Sequence, residues 1–333
     1  SDVYKRQEYM EIRGITDRKI QDIILEISGG HPLLLSSLTS VLVKERLDIR
    51  EMMELRGETI EEIYAKFINR LLGHLDEKEK EIFFIASIPE FFDFELLSVV
   101  LPLTVMELKE IEKNLGMLID MGVIQPQREF GVGIRRIHDI ARKAVLKLIP
   151  KSVIEHYAPK IADHMLNKYR ESGVIDFAIE AIRLTTLTSE ENAYKLLEDT
   201  YNGLRSRADF ASIEKLFEKT VFSTPLFKAQ LLHMAANLDR WLSRYEIAEK
   251  KLMAALSIVE KAGKNIEIQE VTGDIYASLG RLYRELSKYK EAEKFLSGAI
   301  EILNNVVQKV EEPNIDTLIS LSQAIRSLGN VYY

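Results

Sequence analysis

One set of residue spacings occurs twice in the second half of the sequence and constrains the fold more than any other feature. Steps of three and four residues place side chains on one face of an α-helix. Two alanines on such a face let a neighbouring helix approach closely, and recurrence at a fixed period is typical of stacked helical hairpins. The first copy consists of Tyr245, Ala248, Leu252 and Ala255, and the second of Tyr289, Ala292, Leu296 and Ala299.

The helix before the second copy carries a further pattern of large and small residues. Together with that copy it resembles the tetratricopeptide repeat (TPR) closely. The resemblance implies a superhelix of helix pairs whose concave face binds a protein or peptide. The residues that carry it in this helix are Tyr276, Leu279, Gly280 and Tyr283.

The repeats also depart from the common pattern. Ala236 stands where glycine is usual and Asp239 where an aromatic residue is usual. The period exceeds the usual length of about 34 residues, which predicts longer helices. The best-matched hairpins cover 231–261 and 273–304, whereas 173–230 fits hairpins only loosely. The pattern begins again, and we expect the array to be truncated there, at Leu328, Gly329 and Tyr332.

The first half of the sequence is also mainly helical, with one interruption. Residues 8–73 predict a helical domain. In 74–150, three helices, the last from Thr104 to Gly122, precede two short strands, which is the order of a winged-helix domain. Residues 1–7 resemble translated sequencing-adapter sequence, so we expect them to be an artefact. The predicted fold is therefore all-α: a helical domain, a winged helix with a small β-hairpin, and a TPR-like α-α superhelix over 151–333.

Two short motifs in this first half resemble those that follow the nucleotide-binding core of STAND-class signalling ATPases, a group that includes the AP-ATPase and NB-ARC proteins. The segment 28–33 (SGGHPL) resembles their Gly-x-Pro motif, with Gly30 and Pro32. Residues 137–139 resemble their hydrophobic-His-Asp motif, with His138 and Asp139. The resemblance implies that Pro32 packs against adenine and His138 reaches the diphosphate of ADP. It also implies ATP or ADP with Mg for a longer protein whose core precedes residue 8.

Composition and missing motifs argue against an enzyme within this chain. The sequence contains no cysteine, which excludes disulfides and thiolate chemistry and fits a reducing cytoplasm. It has no P-loop, no Gly-x-Ser-x-Gly elbow and no His-Glu-x-x-His helix. We predict no metal site, since His156 and His164 have no acidic third ligand nearby in the sequence. No apolar run is long enough to cross a membrane.

Three functions remain open at this point. The first is the sensor and regulatory part of a STAND ATPase. The second is a transcription regulator that binds DNA through the winged helix or a further domain, although the net charge of −7 gives no overall attraction to nucleic acid. The third is a TPR scaffold without nucleotide dependence. Gly30 and Pro32 could equally form a plain helix-to-helix corner, and His138 could be a structural residue.

Overall fold

The computed structural model describes residues 2–32, 35–36, 38–39, 59–101, 123–127, 133–263 and 265–332. These residues form two compact units, Ser1–Thr188 and Ser189–Tyr333. The first unit therefore extends past residue 151, the predicted start of the repeats. The third helix of the expected winged helix, Thr104 to Gly122, lies outside the described residues.

The first unit consists of helices around one small hairpin. Several of its helices begin at side-chain caps; at one of them, Asp76 and Glu79 form a reciprocal capping box. The first helix includes most of the segment interpreted as adapter sequence. The described helices are α1 Asp2–Ile12, α2 Arg18–Ser28, α3 Ile60–His74, α4 Glu77–Ser87, α5 Phe94–Val100, α6 Asp139–Leu146, α7 Lys151–Ser172 and α8 Ile175–Thr186.

The predicted hairpin is present as two antiparallel strands, β1 Ile124–Pro126 and β2 Arg135–Ile137, with Ile124 opposite Ile137. Phe92 adds a bridge to Arg135 on the other edge of β2. Ile124 and Ile137 are buried, so one face of the hairpin packs on the core. The hairpin places His138 directly at the start of α6.

A buried charge network joins α4, α6 and α8 and explains why the first unit continues to Thr188. Arg142 donates to the carbonyls of Ser87, Ile88 and Pro89 at 2.8–2.9 Å, at the end of α4. Glu180 is 2% exposed; it pairs with Arg183 at 2.6 Å and accepts the backbone N–H of Glu90 at 2.8 Å. These groups satisfy one another where water is excluded.

The second unit contains three consecutive hairpins and one more helix. Both hairpins that the spacing predicted are confirmed, with longer helices than the matched ranges. The hairpin at 190–219 lies in the segment that fitted the pattern only loosely. The helices are α9 Glu190–Ser206, α10 Phe210–Lys219, α11 Pro225–Trp241, α12 Tyr245–Ala262, α13 Ile266–Glu285, α14 Tyr289–Lys309 and α15 Ile315–Gly329.

The three hairpins share one turn geometry. Each turn has a non-glycine residue in the left-handed region: Ala208 (φ 55°), Ser243 (φ 60°) and Ser287 (φ 59°). The N–H of the next residue closes the turn on a carbonyl five residues earlier, as from Lys288 to Tyr283 at 2.8 Å. This bond satisfies a carbonyl that the helix leaves unpaired at its end. The shared turn identifies 190–219 as a member of the array.

Most of the predicted packing residues lie between the helices. Tyr245 and Tyr276 are partly buried against the core. Helices α13 and α14 approach closely at Gly280, since a Cβ there would collide with the Leu296 side chain and lie 3.1 Å from its backbone nitrogen. The fully or nearly buried residues are Ala248, Leu252, Ala255, Leu279, Tyr283, Ala292, Leu296 and Ala299.

Four predicted packing residues are placed differently. Tyr289 begins α14 and is 53% exposed, so it does not fill the space between helices as expected. Leu328 is only partly buried, and Gly329 has no atom within 4 Å of a built Cβ. Tyr332 is 65% exposed, yet its hydroxyl donates to Glu293. These last three lie at the end of α15, where none of the described residues forms a second helix against them.

Candidate functional site

The two motifs that resemble the STAND pattern meet in the first unit. The rings of His31 and His138 lie edge to face with centroids 6.1 Å apart, although 106 residues lie between them in the sequence. Gly29 and Gly30 have φ of 53° and 76°, and they turn the chain from α2 towards His31. The Arg6 side chain lies where a Cβ on Gly30 would be. Pro32 is exposed in a helical conformation.

His138 is held in one tautomer at the start of α6. Its backbone N–H donates to Val123 at 2.8 Å, and its Nδ1 accepts the Ile140 N–H at 3.4 Å. Burial lowers the pKa of His138, and the positive potential of His31 and Arg136 lowers it further against the opposing effect of Asp139. A neutral ring that accepts at Nδ1 carries its proton on Nε2, where it can donate to a ligand.

Two buried nitrogens in this cluster have no partner. They are Nδ1 of His31 and Nε of Arg136, whose terminal nitrogen bonds the exposed carboxylate of Asp139. Unpartnered buried polar atoms are costly, and they fit a site completed by a ligand. The nearby side chains of Arg6, His31, His138 and Arg136 are basic, so the cluster suits an anionic group such as phosphate. Sequence reasoning missed His31 and Arg136, although His31 is the middle residue of the Gly-x-Pro motif.

A second candidate site lies in the second unit. It is a groove of about 880 Å³ lined by the first helix of each hairpin, α9, α11 and α13, together with α15 and its cap Asn314. We call it the repeat groove. Its size lies within the range of roughly 300–1,000 Å³ typical of ligand sites. The regular hairpin turns position these helices, so their exposed faces form one lining.

One end of the repeat groove is acidic. Among the described residues, Glu198, Glu270, Asp274 and Asp316 line it without forming a salt bridge. Burial raises the pKa of Asp274 to about 6, and the nearby carboxylates of Glu270 and Asp316 raise it further. Burial, together with Asp316 and Asp199, also raises the pKa of Glu198. A hydrogen bond from Ser320 and the positive charge of Arg281 oppose this rise in the pKa of Asp274, so the negative charge of this end is only partly balanced within the unit.

The other end of the repeat groove is basic and aromatic. Arg281 and Arg240 lie close enough to lower the pKa of the buried His233 imidazole to about 4, with burial as the larger cause. Arg205 lies over the ring of Trp241, with its guanidinium carbon 4.3 Å from the centroid. Trp241 is the chain's one tryptophan and is 39% exposed.

A hydrogen-bond network between the two ends is incomplete. His233 Nε2 lies 2.7 Å from Ser278 Oγ and 3.0 Å from Asn237 Nδ2, and Arg281 also donates to Ser278 at 2.8 Å. Three buried groove atoms have no partner: Gln230 Oε1, Asn237 Oδ1 and Arg240 Nε. The two amide oxygens accept, so they match donors such as the N–H groups of an extended peptide.

A further acidic group lies in the first unit. Asp93, Glu95 and His164 form the one group among the described residues that could place three metal-ligand atoms within 4.8 Å of one another. His164 thus has a carboxylate neighbour that the sequence did not reveal, with Nε2 3.3 Å from Asp93. Lys168 already pairs with both carboxylates. Its ammonium supplies the positive charge that a metal ion would bring, so the group forms a partly buried charge network in which the Glu95 side chain is 61% exposed.

Comparisons with known proteins give one structural match. The chain is similar to the crystal structure of a signal transduction ATPase with numerous domains (STAND) protein with a tetratricopeptide repeat sensor from Pyrococcus horikoshii, with 16% identity and a TM-score of 0.40. The match covers 99% of this chain and 50% of that one, so this chain spans about half its length. No protein-family model and no curated protein matches. Across its described part the chain has no helix long and apolar enough to cross a membrane.

Proposed function

We propose that this chain is the sensor and regulatory part of a STAND-class signalling ATPase in the cytoplasm, and that the repeat groove binds a peptide or protein segment. One observation carries the proposal: the groove combines opposite charge at its two ends with buried hydrogen-bonding atoms that have no partner. An extended segment fits this pattern. Its backbone N–H groups would donate to Gln230 and Asn237, and a basic side chain would enter the acidic end.

Trp241 provides both a probe and a test of the groove. Random peptides selected by display against the chain should change the fluorescence of this single tryptophan in a saturable titration. Replacing Trp241 with alanine should weaken their affinity at least tenfold, or about 1.4 kcal/mol, because exposed aromatic anchors carry much of the energy of such interfaces. Affinity would be measured for this variant with labelled peptide.

Tyr289→Ala is the matched control, since Tyr289 is 53% exposed and does not line the repeat groove. Its affinity for the selected peptides should equal that of the wild-type chain. Equal loss in the two variants, or no loss in Trp241→Ala, would contradict binding in the groove.

We further propose that the His31–His138 cluster contacts the phosphates of ATP or ADP bound, with Mg, by a nucleotide-binding core in a longer protein. The basic side chains and the two unpartnered nitrogens support this assignment. The nucleotide would supply negative charge and acceptor oxygens. On this chain, His138 Nε2 would donate to phosphate and His31 and Arg136 would balance its charge. Binding of a ligand in the repeat groove would shift the equilibrium between closed and open arrangements of the longer protein.

The cluster is tested by nucleotide release. In the protein that joins this chain to its core, His138→Ala should accelerate ADP release about tenfold, which corresponds to loss of one charge-assisted hydrogen bond of about 1.4 kcal/mol. Release would be followed with a fluorescent ADP analogue. His156→Ala is the control because His156 is exposed on α7. Unchanged release in His138→Ala would contradict the role of His138 and favour a TPR scaffold without nucleotide dependence.

DNA binding is the second candidate function, and the contacts of the basic residues disfavour it. Arg142 donates to three carbonyls within the first unit. Arg135 lies over the ring of Phe94, and Lys151 pairs with Glu155. Side chains engaged within the unit are poorly placed to neutralise phosphates along a duplex.

A further inference from the structure

The second unit contains a cavity that shares no lining residue with the repeat groove. It has a volume of about 610 Å³ and lies among α10, α11, α12 and the segment 220–222. Val221 is 76% exposed, so the cavity opens to solvent beside it. Three cationic and three acidic side chains also line it. The apolar lining residues are Phe217, Val221, Phe222, Leu231, Leu232, Ala235 and Leu238.

The next hairpin shows what occupies the equivalent place. There the ring of Tyr283 stacks on Phe295, with centroids 5.4 Å apart and planes at 20°. The Tyr283 hydroxyl donates to Glu249 at 2.6 Å. The ammonium of Lys288 lies 5.5 Å from the centroid of the same ring. The aromatic ring therefore has a stacking partner, a hydrogen-bond acceptor and a cation.

The hairpin of α11 and α12, which lines the cavity, has no aromatic ring at the position of Tyr283. The two hairpins can be aligned by their turn residues, Ser243 and Ser287. In this alignment Asp239 corresponds to Tyr283, Lys251 to Phe295 and Arg244 to Lys288. Asp239 and Lys251 form a salt bridge of 2.6 Å in which Asp239 is 4% exposed.

The acceptor of the ring hydroxyl also has a counterpart. When the turns at Ala208 and Ser243 are aligned, Glu214 corresponds to Glu249. Arg244 forms an ion pair with Glu214. The Asp239 and Lys251 side chains together have a smaller volume than the stacked rings of Tyr and Phe. The cavity at this position therefore follows from the exchange of Tyr and Phe for Asp and Lys.

We propose that this cavity binds a hydroxyphenyl group, either of a small phenol or of a tyrosine side chain in a partner. The ring would take the place that Tyr283 takes in the next hairpin, against apolar walls. Arg244 would face the ring as Lys288 does, and the hydroxyl would donate to Glu214 as Tyr283 does to Glu249. The acidic acceptors favour a phenol over an apolar ring of the same size.

Binding is tested on the full 333-residue chain with p-cresol and toluene, which differ in the hydroxyl. Saturation-transfer NMR should show saturable binding of p-cresol that is at least fivefold tighter than that of toluene. Glu214→Gln, at a side chain 43% exposed, should reduce this preference below twofold. No saturable binding of p-cresol, or equal affinity for the two compounds, would overturn the proposal.

A filled cavity provides the second test. Asp239→Tyr combined with Lys251→Phe rebuilds the Tyr283–Phe295 pair and should abolish p-cresol binding with native circular dichroism. Undiminished binding in this folded variant would overturn the location, and if it does not fold, the Glu214→Gln result decides. The peptide Gly-Gly-Tyr-Gly-Gly distinguishes the sources of the ring: tighter binding than p-cresol assigns the cavity to a tyrosine side chain, and weaker binding assigns it to a small phenol.

Discussion

Replacement of Glu180 by alanine is expected to lower the free energy of unfolding by about 3 kcal/mol, the lower end for breaking a buried ion pair. Glu180 is buried, and its loss removes two bonds to Arg183 at 2.6 and 2.8 Å and one from the Glu90 N–H at 2.8 Å. Arg183 would remain beside Arg142 without its carboxylate. The estimate takes the lower end because the Arg183 side chain is 31% exposed.

Urea unfolding followed by circular dichroism measures this loss. Glu191→Ala is the matched control, since Glu191 and Lys195 form an exposed pair with side chains 66% and 64% exposed. We expect less than about 1 kcal/mol for this variant. Similar losses in the two variants would contradict the role of Glu180 as the centre of a buried network.

Replacement of Gly280 by alanine should destabilise the second unit by about 2 kcal/mol, as expected for overpacking in a tight core. The added methyl would collide with the fully buried Leu296 side chain, and the backbone nitrogen of Leu296 at 3.1 Å prevents a simple side-chain adjustment. Thermal and urea unfolding of the variant would measure the effect.

Gly203→Ala is the control with the opposite expected sign. Gly203 is also helical, but it is exposed and a Cβ there meets no atom within 4 Å. Alanine should therefore stabilise the chain by about 0.5–1 kcal/mol through its higher helix propensity. Stabilisation in both variants would contradict the close approach of α13 and α14.

The sequence predicted features that depend on local spacing. The two patterned hairpins and the short strands beside His138 are present, because each is determined by residues close together in the chain. The boundaries of the hairpin at 190–219 were not predicted from the sequence. Its turn residue, Ala208, carries no turn signal, and the left-handed conformation of that residue appears only in the structure.

Long-range features could not be predicted in the same way. Glu180 and Glu90 are bonded across 90 residues, and Asp93 meets His164 although 71 positions separate them. The contact between His31 and His138 was not predicted, since the family resemblance pointed to Pro32 and His138 instead. The repeat groove depends on the relative placement of four helices, and its unpartnered amides are ordinary polar residues in the sequence. Only the departure at Asp239 marked a position where the structure is unusual.

Hydrogen–deuterium exchange tests the central claim, that the first helices of the repeats form a ligand-binding surface. Exchange would be compared for the chain with and without a saturating display-selected peptide. We expect slower exchange in α11 and α13, which line the repeat groove, and little change in α12 and α14. Slowing confined to α12 and α14, or no change in any of the four helices, would contradict it.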